Sequence, residues 1–273
     1  MRPNRVKRKL ADGGVATIIQ GELSADLIDF LGPLGFDGVW IEAEHGGLSF
    51  TDIRDQTRAA DLWGMTSVAR VHANEEGLIY RTLDQGVQAI LMPHCNTAEE
   101  AAAVVNAAKF FPEGNRGVFK GRQANGVDDY FEKSNEEVLV GVLIEDVIAI
   151  DNLDEMLKVD NVDVYLVAVG DLAQSMGIPT QLTNPELLKI RDESFAKIVS
   201  AGKVPGAVTE SGNVEEFINK GHVSIEFKNF PLDMAALNAS KIAHCKNNGK
   251  SEILHYLFEN QSQWVKGNTI VDL

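Results

Sequence analysis

Residues 35–47 read G-F-D-G-V-W-I-E-A-E-H-G-G. An apolar run, Val39-Trp40-Ile41, ends abruptly in Glu42, Glu44 and His45, and two glycines follow. Short apolar runs of this kind are buried strands. The glycines imply a tight turn that fixes the direction of the imidazole. Two carboxylates and an imidazole at the mouth of a buried strand are hard to account for by packing. The alternative, strongest for Glu44, is a solvated loop residue.

Outward from this stretch, apolar runs alternate with amphipathic segments nearly from end to end. Expected strands are 15–19, 39–42, 67–71, 89–92, 140–144, 164–167, 204–208 and 223–227. Expected helices are 24–34, 49–63, 77–85, 97–109, 150–159, 185–201, 213–220 and 231–245. Strand and helix repeated about eight times is the pattern of a parallel sheet closed into a (β/α)8 TIM barrel. A doubly wound open sheet is the competing architecture, but Gly21-Glu22-Leu23-Ser24 is not the glycine-rich phosphate turn such sheets carry after their first strand. Punctuation supports the boundaries. Ser49 and Thr97 stand as N-caps, with Glu100 completing a capping box, and Pro185 opens a helix after Asn184. Gly64, Gly86 and Gly202 fall just past helix ends.

The 273 residues suit one domain over 1–273. A hydrophobic content of 44% and a mean hydropathy of -0.09 are those of an ordinary globular protein. The basic residues among the first nine precede no apolar signal core, so they read as a solvated lead-in to a cytoplasmic protein. No apolar run approaches the ~20 residues of a membrane span. A net charge of -15 argues against nucleic-acid partners and leaves an anionic substrate in need of a local cation. Two cysteines far apart, Cys95 and Cys245, form neither a disulfide scaffold nor a zinc motif. Residues 111–133 are a long loop rich in Gly, Asn, Arg and Asp, a type often functional. The tail, 251–273, carries Ile253, Leu254, Leu257, Phe258 and Trp264 at helical spacing. It is expected to pack on a neighbouring subunit, or else on its own barrel.

In such a barrel, chemistry sits at the C-terminal ends of the strands. Those ends carry Glu42, Glu44 and His45, then Arg70, then His94-Cys95, then Glu145-Asp146, then Gly170-Asp171. Glu145 and Asp171 suit a divalent metal with open positions for water and substrate; the alternative for Glu145 is a helix N-cap. Arg70 suits an oxyanion or a carbonyl, or a salt bridge to Glu42 or Asp84. His94 and Cys95 read mainly as packed groups. Lys120, Lys203 and Lys228 lie in no apolar strand run that would make a Schiff-base amine of them.

These residues also resemble a known family. Residues 35–47 look like the F-D-W-x-x-I-D-x-E-H-G signature of the HpcH/HpaI aldolases, the class II metal-dependent pyruvate aldolases. Val68-Ala69-Arg70-Val71, Arg81-x-Leu83-Asp84-x-Gly86, Ile90-Leu91-Met92-Pro93, Asn96-Thr97-Ala98-Glu99-Glu100-Ala101, Phe111-Pro112-x-Gly114-x-Arg116-Gly117, Ile144-Glu145 and Asp171-Leu172-Ala173-x-Ser175-Met176-Gly177 follow in the family's order. The resemblance implies a phosphoenolpyruvate/pyruvate-type barrel, a homohexamer and a bound Mg²⁺, Mn²⁺ or Co²⁺. By position, Glu145 and Asp171 match the metal ligands and His45 the catalytic base. Arg70 matches the residue that polarises the substrate carbonyl. Asp84 matches an acid that meets the histidine across a subunit boundary. Gly170 falls beside Asp171 in the substrate-binding segment, and Glu42 stands where the family has Asp. The implied reaction is reversible aldol cleavage of a 4-hydroxy-2-oxoacid to pyruvate (or a similar 2-oxoacid) and an aldehyde, through an enolate. Alternatives are another lyase or decarboxylase of the same barrel group, or a non-catalytic barrel. Departures cluster at substrate-shaping positions: Glu42, Ala168-Val169 in place of Gly-Pro, a shorter loop after Gly117, and residues 225–229 in place of a V-G-x-D strand end.

Overall fold

A computed structural model describes residues 1–208, 225–229, 265–266 and 269–270. Among the described residues, eight strands belong to one sheet: β1 (Ala16–Gln20), β2 (Gly38–Glu42), β3 (Thr66–Arg70), β4 (Ala89–Met92), β5 (Leu139–Ile144), β6 (Val164–Val167), β7 (Val204–Val208) and β8 (Ile225–Asn229). They form one curled parallel sheet in sequence order, with β8 paired to both β7 and β1. Six of the expected strands coincide with these within a residue at either end, as does 15–19; the eighth starts two residues later than expected. The connecting helices are α2 (Ala25–Leu31), α3 (Phe50–Leu62), α4 (Glu76–Asp84), α5 (Ala98–Ala108), α7 (Val147–Met156) and α9 (Pro185–Ser200). The expected helices 213–220 and 231–245 lie outside the described residues. So does the tail stripe 253–264; beyond it, Val265–Lys266 and Thr269–Ile270 pair antiparallel.

The side-chain period of two divides the core. Trp40, Val68, Leu91, Leu143 and Leu166 fill the inside of the sheet. Ile41, Ala69, Ile90, Ile144 and Val167 face outward against the helices. Two residues further along each strand, the inward direction reaches the rim. Register then places Glu42 opposite Arg70 on adjacent strands, directly above the Trp40–Val68 pair.

Helix boundaries follow their caps. Ser49 with Asp52, and Thr97 with Glu100, form reciprocal capping boxes. Asn184 caps α9 and Pro185 occupies its first turn. Gly64, Gly86 and Gly202 have positive φ at helix ends.

Three helices depart from the sequence reading. The basic lead-in is a helix, α1 (Arg5–Ala11), capped by Asn4, and it plugs the bottom of the sheet. Val6 is fully buried there against Ile18, and Gly38 leaves room for it: a Cβ at that position would meet Val6 Cγ2 at 3.2 Å and the Thr66 carbonyl at 2.9 Å. Basic side chains masked this plug because they snorkel around one apolar contact; Lys9 and Arg5 both pair with the buried Asp37. The last residues of the expected long loop open α6 (Tyr130–Glu137), and α8 (Val169–Ser175) starts directly after β6.

Candidate active site at the strand ends

The side chains at the ends of β2 and β3 form a closed network. Glu42 Oε2 accepts from Trp40 Nε1 at 2.9 Å, Arg70 Nε at 2.9 Å and Arg70 Nη2 at 2.7 Å. Its Oε1 accepts from the backbone N–H groups of Glu44 at 2.8 Å and His45 at 3.0 Å. Burial pushes the Glu42 carboxyl up. The hydrogen bonds from Arg70 and Trp40, the Arg70 charge and the His45 amide outweigh burial and hold it below the usual range. Arg70 also lies 5.3 Å from the centre of the Trp40 ring, a cation–π contact. Gly46 makes the turn possible, since a Cβ there would sit 2.6 Å from the Glu42 carbonyl. His45 is thereby carried outward, with 69% of its side chain exposed and Nε2 3.6 Å from Glu44 Oε2.

At the ends of β4 and β5 the balance is different. Glu145 is 1% exposed. Its Oε1 accepts the His94 backbone N–H at 2.7 Å, while Oε2 has no hydrogen-bond partner. Burial drives its pKa up to about 7; the His94 amide and imidazole oppose this, and the charges of Asp171 and Glu44 add to it. Glu44 Oε2 is also without a hydrogen bond, although Arg70 Nε lies 2.9 Å away: the N–H is directed at Glu42 instead, so the contact is ionic only. His94 Nδ1 meets Asp146 Oδ2 at 2.9 Å, and its Nε2 faces Glu44 Oε1 at 3.7 Å. Burial lowers the His94 pKa, but Asp146, Glu145 and Glu44 together raise it. Asp171 sits on the first turn of α8, a helix with no side-chain cap, next to an exposed Gly170 whose Cα borders open space.

Glu42, His45, Arg70 and Glu145 thus share one rim, with Asp171 near enough to Glu145 to act on its charge. Asp84 does not join them within the chain. It ends α4, and helices run opposite to the strands, so it lies at the far end of the sheet, paired with Arg116 at 2.7 Å. Arg70 therefore takes the Glu42 partner and not Asp84. Lys203 donates to the Val159 carbonyl, a structural role. Cys95 is buried, with its thiol pushed up to about 12 by burial and Glu100, so it is inert.

Sequence reasoning placed Glu44, His94 and Asp146 at the strand ends without giving them a role, and it missed Trp40 as a member of the site. For Trp40 a signal existed: it is two residues before Glu42, hence on the same inward face. For the role of Asp146 there was none. It is the N-cap residue of α7 by position, yet Ser175 Oγ, and not Asp146, accepts the Val147 N–H. A cavity of about 560 Å³ opens beside Trp40, Glu42 and His45, bounded by Leu23, Leu48 and Gln56. Glu145 and Asp171 do not line it.

A divalent cation fits this donor set. The buried, unpartnered Glu145 oxygen and the surrounding Glu44, Asp146 and Asp171 concentrate negative charge, opposed by the His94 imidazole and, at Glu44, by Arg70. Among the described residues, no three His, Cys, Asp or Glu side chains already converge at coordination distance.

A family model described as HpcH/HpaI aldolase/citrate lyase matches residues 21–228. A second, described as thioredoxin, matches 209–272; the sequence has no C-x-x-C redox motif. The 2-keto-3-deoxy-L-rhamnonate aldolase of Escherichia coli (strain K12) is 30% identical over 208 residues, 74% of this chain and 78% of that protein. The enzyme of the same name from Salmonella gallinarum (strain 287/91 / NCTC 13346) is 32% identical over 176 residues; the match spans 63% of this chain and 66% of that one, just short of two thirds. Among solved structures, the citrate synthase SbnG superposes with a TM-score of 0.76 at 25% identity, over 89% of this chain and 98% of its own. An HpcH/HpaI aldolase from Desulfitobacterium hafniense DCB-2 gives 0.76 at 23% identity, over 90% and 96%, which speaks for the fold.

Proposed function

Because the chain belongs to the HpcH/HpaI aldolase/citrate lyase family, we propose that it is a divalent-metal-dependent carbon–carbon lyase of the class II aldolase type. Its reaction is the reversible aldol cleavage of a 4-hydroxy-2-oxoacid into pyruvate, or a similar 2-oxoacid, and an aldehyde. The observation that carries the reading is Glu145, a fully buried carboxylate with an unpartnered oxygen, on the same rim as Arg70 and His45. Glu145 and Asp171 would hold Mg²⁺, Mn²⁺ or Co²⁺, which supplies Lewis-acid stabilisation of negative charge on the 2-oxoacid.

The remaining roles belong to side chains. Glu42 takes Arg70 by Nε and Nη2, which leaves Nη1 outside this pair. The guanidinium adds fixed positive charge where the substrate's 2-oxo oxygen gains negative charge. Glu42 also holds the amides of the turn bearing His45, so one carboxylate sets both groups. His45 removes the proton of the 4-hydroxyl during cleavage and returns it during condensation. The C3–C4 bond breaks, its electron pair stays with the 2-oxoacid fragment, and C3 is then protonated. Gly170 leaves open space next to Asp171 for the substrate carboxylate.

The same reading takes the chain as a cytoplasmic (β/α)8 barrel in a homohexamer. Asp84 then reaches the His45 of a second copy. No helix among the described residues is long and apolar enough to cross a membrane.

The experiment is exchange of the methyl protons of pyruvate in deuterated water, followed by NMR. Exchange is expected with Mg²⁺, Mn²⁺ or Co²⁺ and not after chelation. Absence of exchange with all three ions overturns the reading. Exchange without cleavage of any 4-hydroxy-2-oxoacid points to another lyase or decarboxylase of the group, which the altered Ala168-Val169 segment favours.

A further inference from the structure

His94 is two residues past β4, in the left-handed region at φ 48°. A non-glycine residue held there is strained, and such residues cluster at functional sites. Packing does not account for it, since the His94 side chain is 52% exposed. What the conformation achieves is a double attachment. The backbone N–H of His94 donates to Glu145 Oε1 at 2.7 Å, and its Nδ1 meets Asp146 Oδ2 at 2.9 Å.

We propose that His94 is a third protein ligand of the metal centre, binding through Nε2, and that the site therefore selects Mn²⁺, Co²⁺ or a similar transition ion over Mg²⁺. The proposal rests on the metal-dependent reading above.

The carboxylate on Nδ1 fixes that nitrogen as the proton carrier and leaves the lone pair on Nε2. Carboxylate, imidazole and metal in this order recur around metal centres, the carboxylate orienting the ring and raising its basicity. Asp146 makes no cap hydrogen bond to α7, and the first N–H of that helix, from Val147, goes to Ser175 Oγ, so the Asp146 carboxylate is available for this. Nε2 stands 3.7 Å from Glu44 Oε1, beyond a hydrogen bond, and Nδ1 stands 3.7 Å from Glu145 Oε1, so the ring lies between the two carboxylates. Two donors that share one ion at about 2.1 Å each lie roughly 3–4 Å apart. Glu145, tied to His94 by the amide bond, contributes the other donor with nothing to bind, Oε2. Imidazole suits borderline transition ions, whereas Mg²⁺ prefers oxygen throughout and gives up water reluctantly. The competing account is that a protonated His94 neutralises the acids by itself and excludes a metal.

The test is pulsed EPR of the full chain loaded with Mn²⁺, with ¹⁴N- or ¹⁵N-labelled histidine, paired with Mn²⁺, Co²⁺ and Mg²⁺ titrations by calorimetry. Wild-type protein should show histidine nitrogen coupled to Mn²⁺. His45→Gln should keep the coupling and His94→Gln should lose it. His94→Gln should weaken Co²⁺ binding about 10–100-fold and Mg²⁺ binding far less. If His94→Gln does not fold, Asp146→Asn serves: it should weaken Co²⁺ while retaining the coupling. Mn²⁺ bound at wild-type affinity without nitrogen coupling overturns the ligand assignment and leaves the metal-dependent lyase standing. No Mn²⁺ binding by the wild type overturns both.

Discussion

The two halves of the rim are built on opposite terms. On the β2–β3 side both oxygens of Glu42 are used: they take five hydrogen bonds between them, and the carboxyl lies below the usual range. On the β4–β5 side Glu145 is more deeply buried, holds one hydrogen bond, and its carboxyl is pushed up to about 7. A closed network orients what it contains. An open one, buried at a cost, waits for something to bind. The contrast assigns positioning to the first half and ligand capture to the second.

The contrast breaks most sharply at Glu145. Glu145→Gln keeps the shape and removes the charge, and should lower kcat/KM by at least about 100-fold. The metal-free variant should melt no lower than wild type, because a buried charge with an unpartnered oxygen has been removed. A large fall in melting temperature would show instead that Glu145 holds the fold together.

Arg70→Lys attacks the closed half. Lysine cannot reproduce the fork that grips Glu42 through two nitrogens. An expected loss of about 10–100-fold in kcat/KM should come with about 1–3 kcal/mol of stability in denaturant titration, the reverse of the Glu145 result. Glu42→Asp is a finer cut. The shorter side chain cannot reach the Trp40 indole, Arg70 and two amides together. About 1–2 kcal/mol of stability and up to about tenfold in kcat should be lost. Trp40→Phe, which deletes the indole N–H together with part of the buried ring, should reproduce part of that loss and add a packing cost.

The smallest effect is one of pH. The folded pKa of Glu42 is lowered from 4.5, so its ionised form favours the folded state. That contribution is complete above the unfolded value and disappears as pH falls through the lowered folded one. Stability curves of wild type and Glu42→Gln should differ at neutral pH and approach each other in acid. Curves that stay parallel down to the acid limit would remove Glu42 from the network's energetics.

How far the sequence carries is itself divided along these lines. Strand positions were legible because burial on both faces writes continuous apolar runs, as in Val39-Trp40-Ile41 and Val142-Leu143-Ile144. Glu42, His45, Arg70 and Glu145 were legible because each lies at or just past the end of such a run. His94 and Asp146 were legible as strand-end residues but not in their roles, since these depend on where the first N–H of α7 goes and on one left-handed φ angle. The helix α1 was hidden by its charges, and Asn4, whose side chain caps it, was the overlooked signal. At the other end, residues 209–228 match two different family models. There β8 joins β1 through main-chain pairing at five positions, and main-chain pairing leaves little trace in residue type.

Trp40 has a use beyond holding Glu42. Its indole lies inside the sheet, 4% exposed, hydrogen-bonded to one charged group and faced by another. Fixed charges around an indole shift the colour of its emission. The protein therefore carries an optical gauge of its own arginine: any ligand that draws Arg70 away from Glu42 changes the field at Trp40, and should change its fluorescence before a bond is broken.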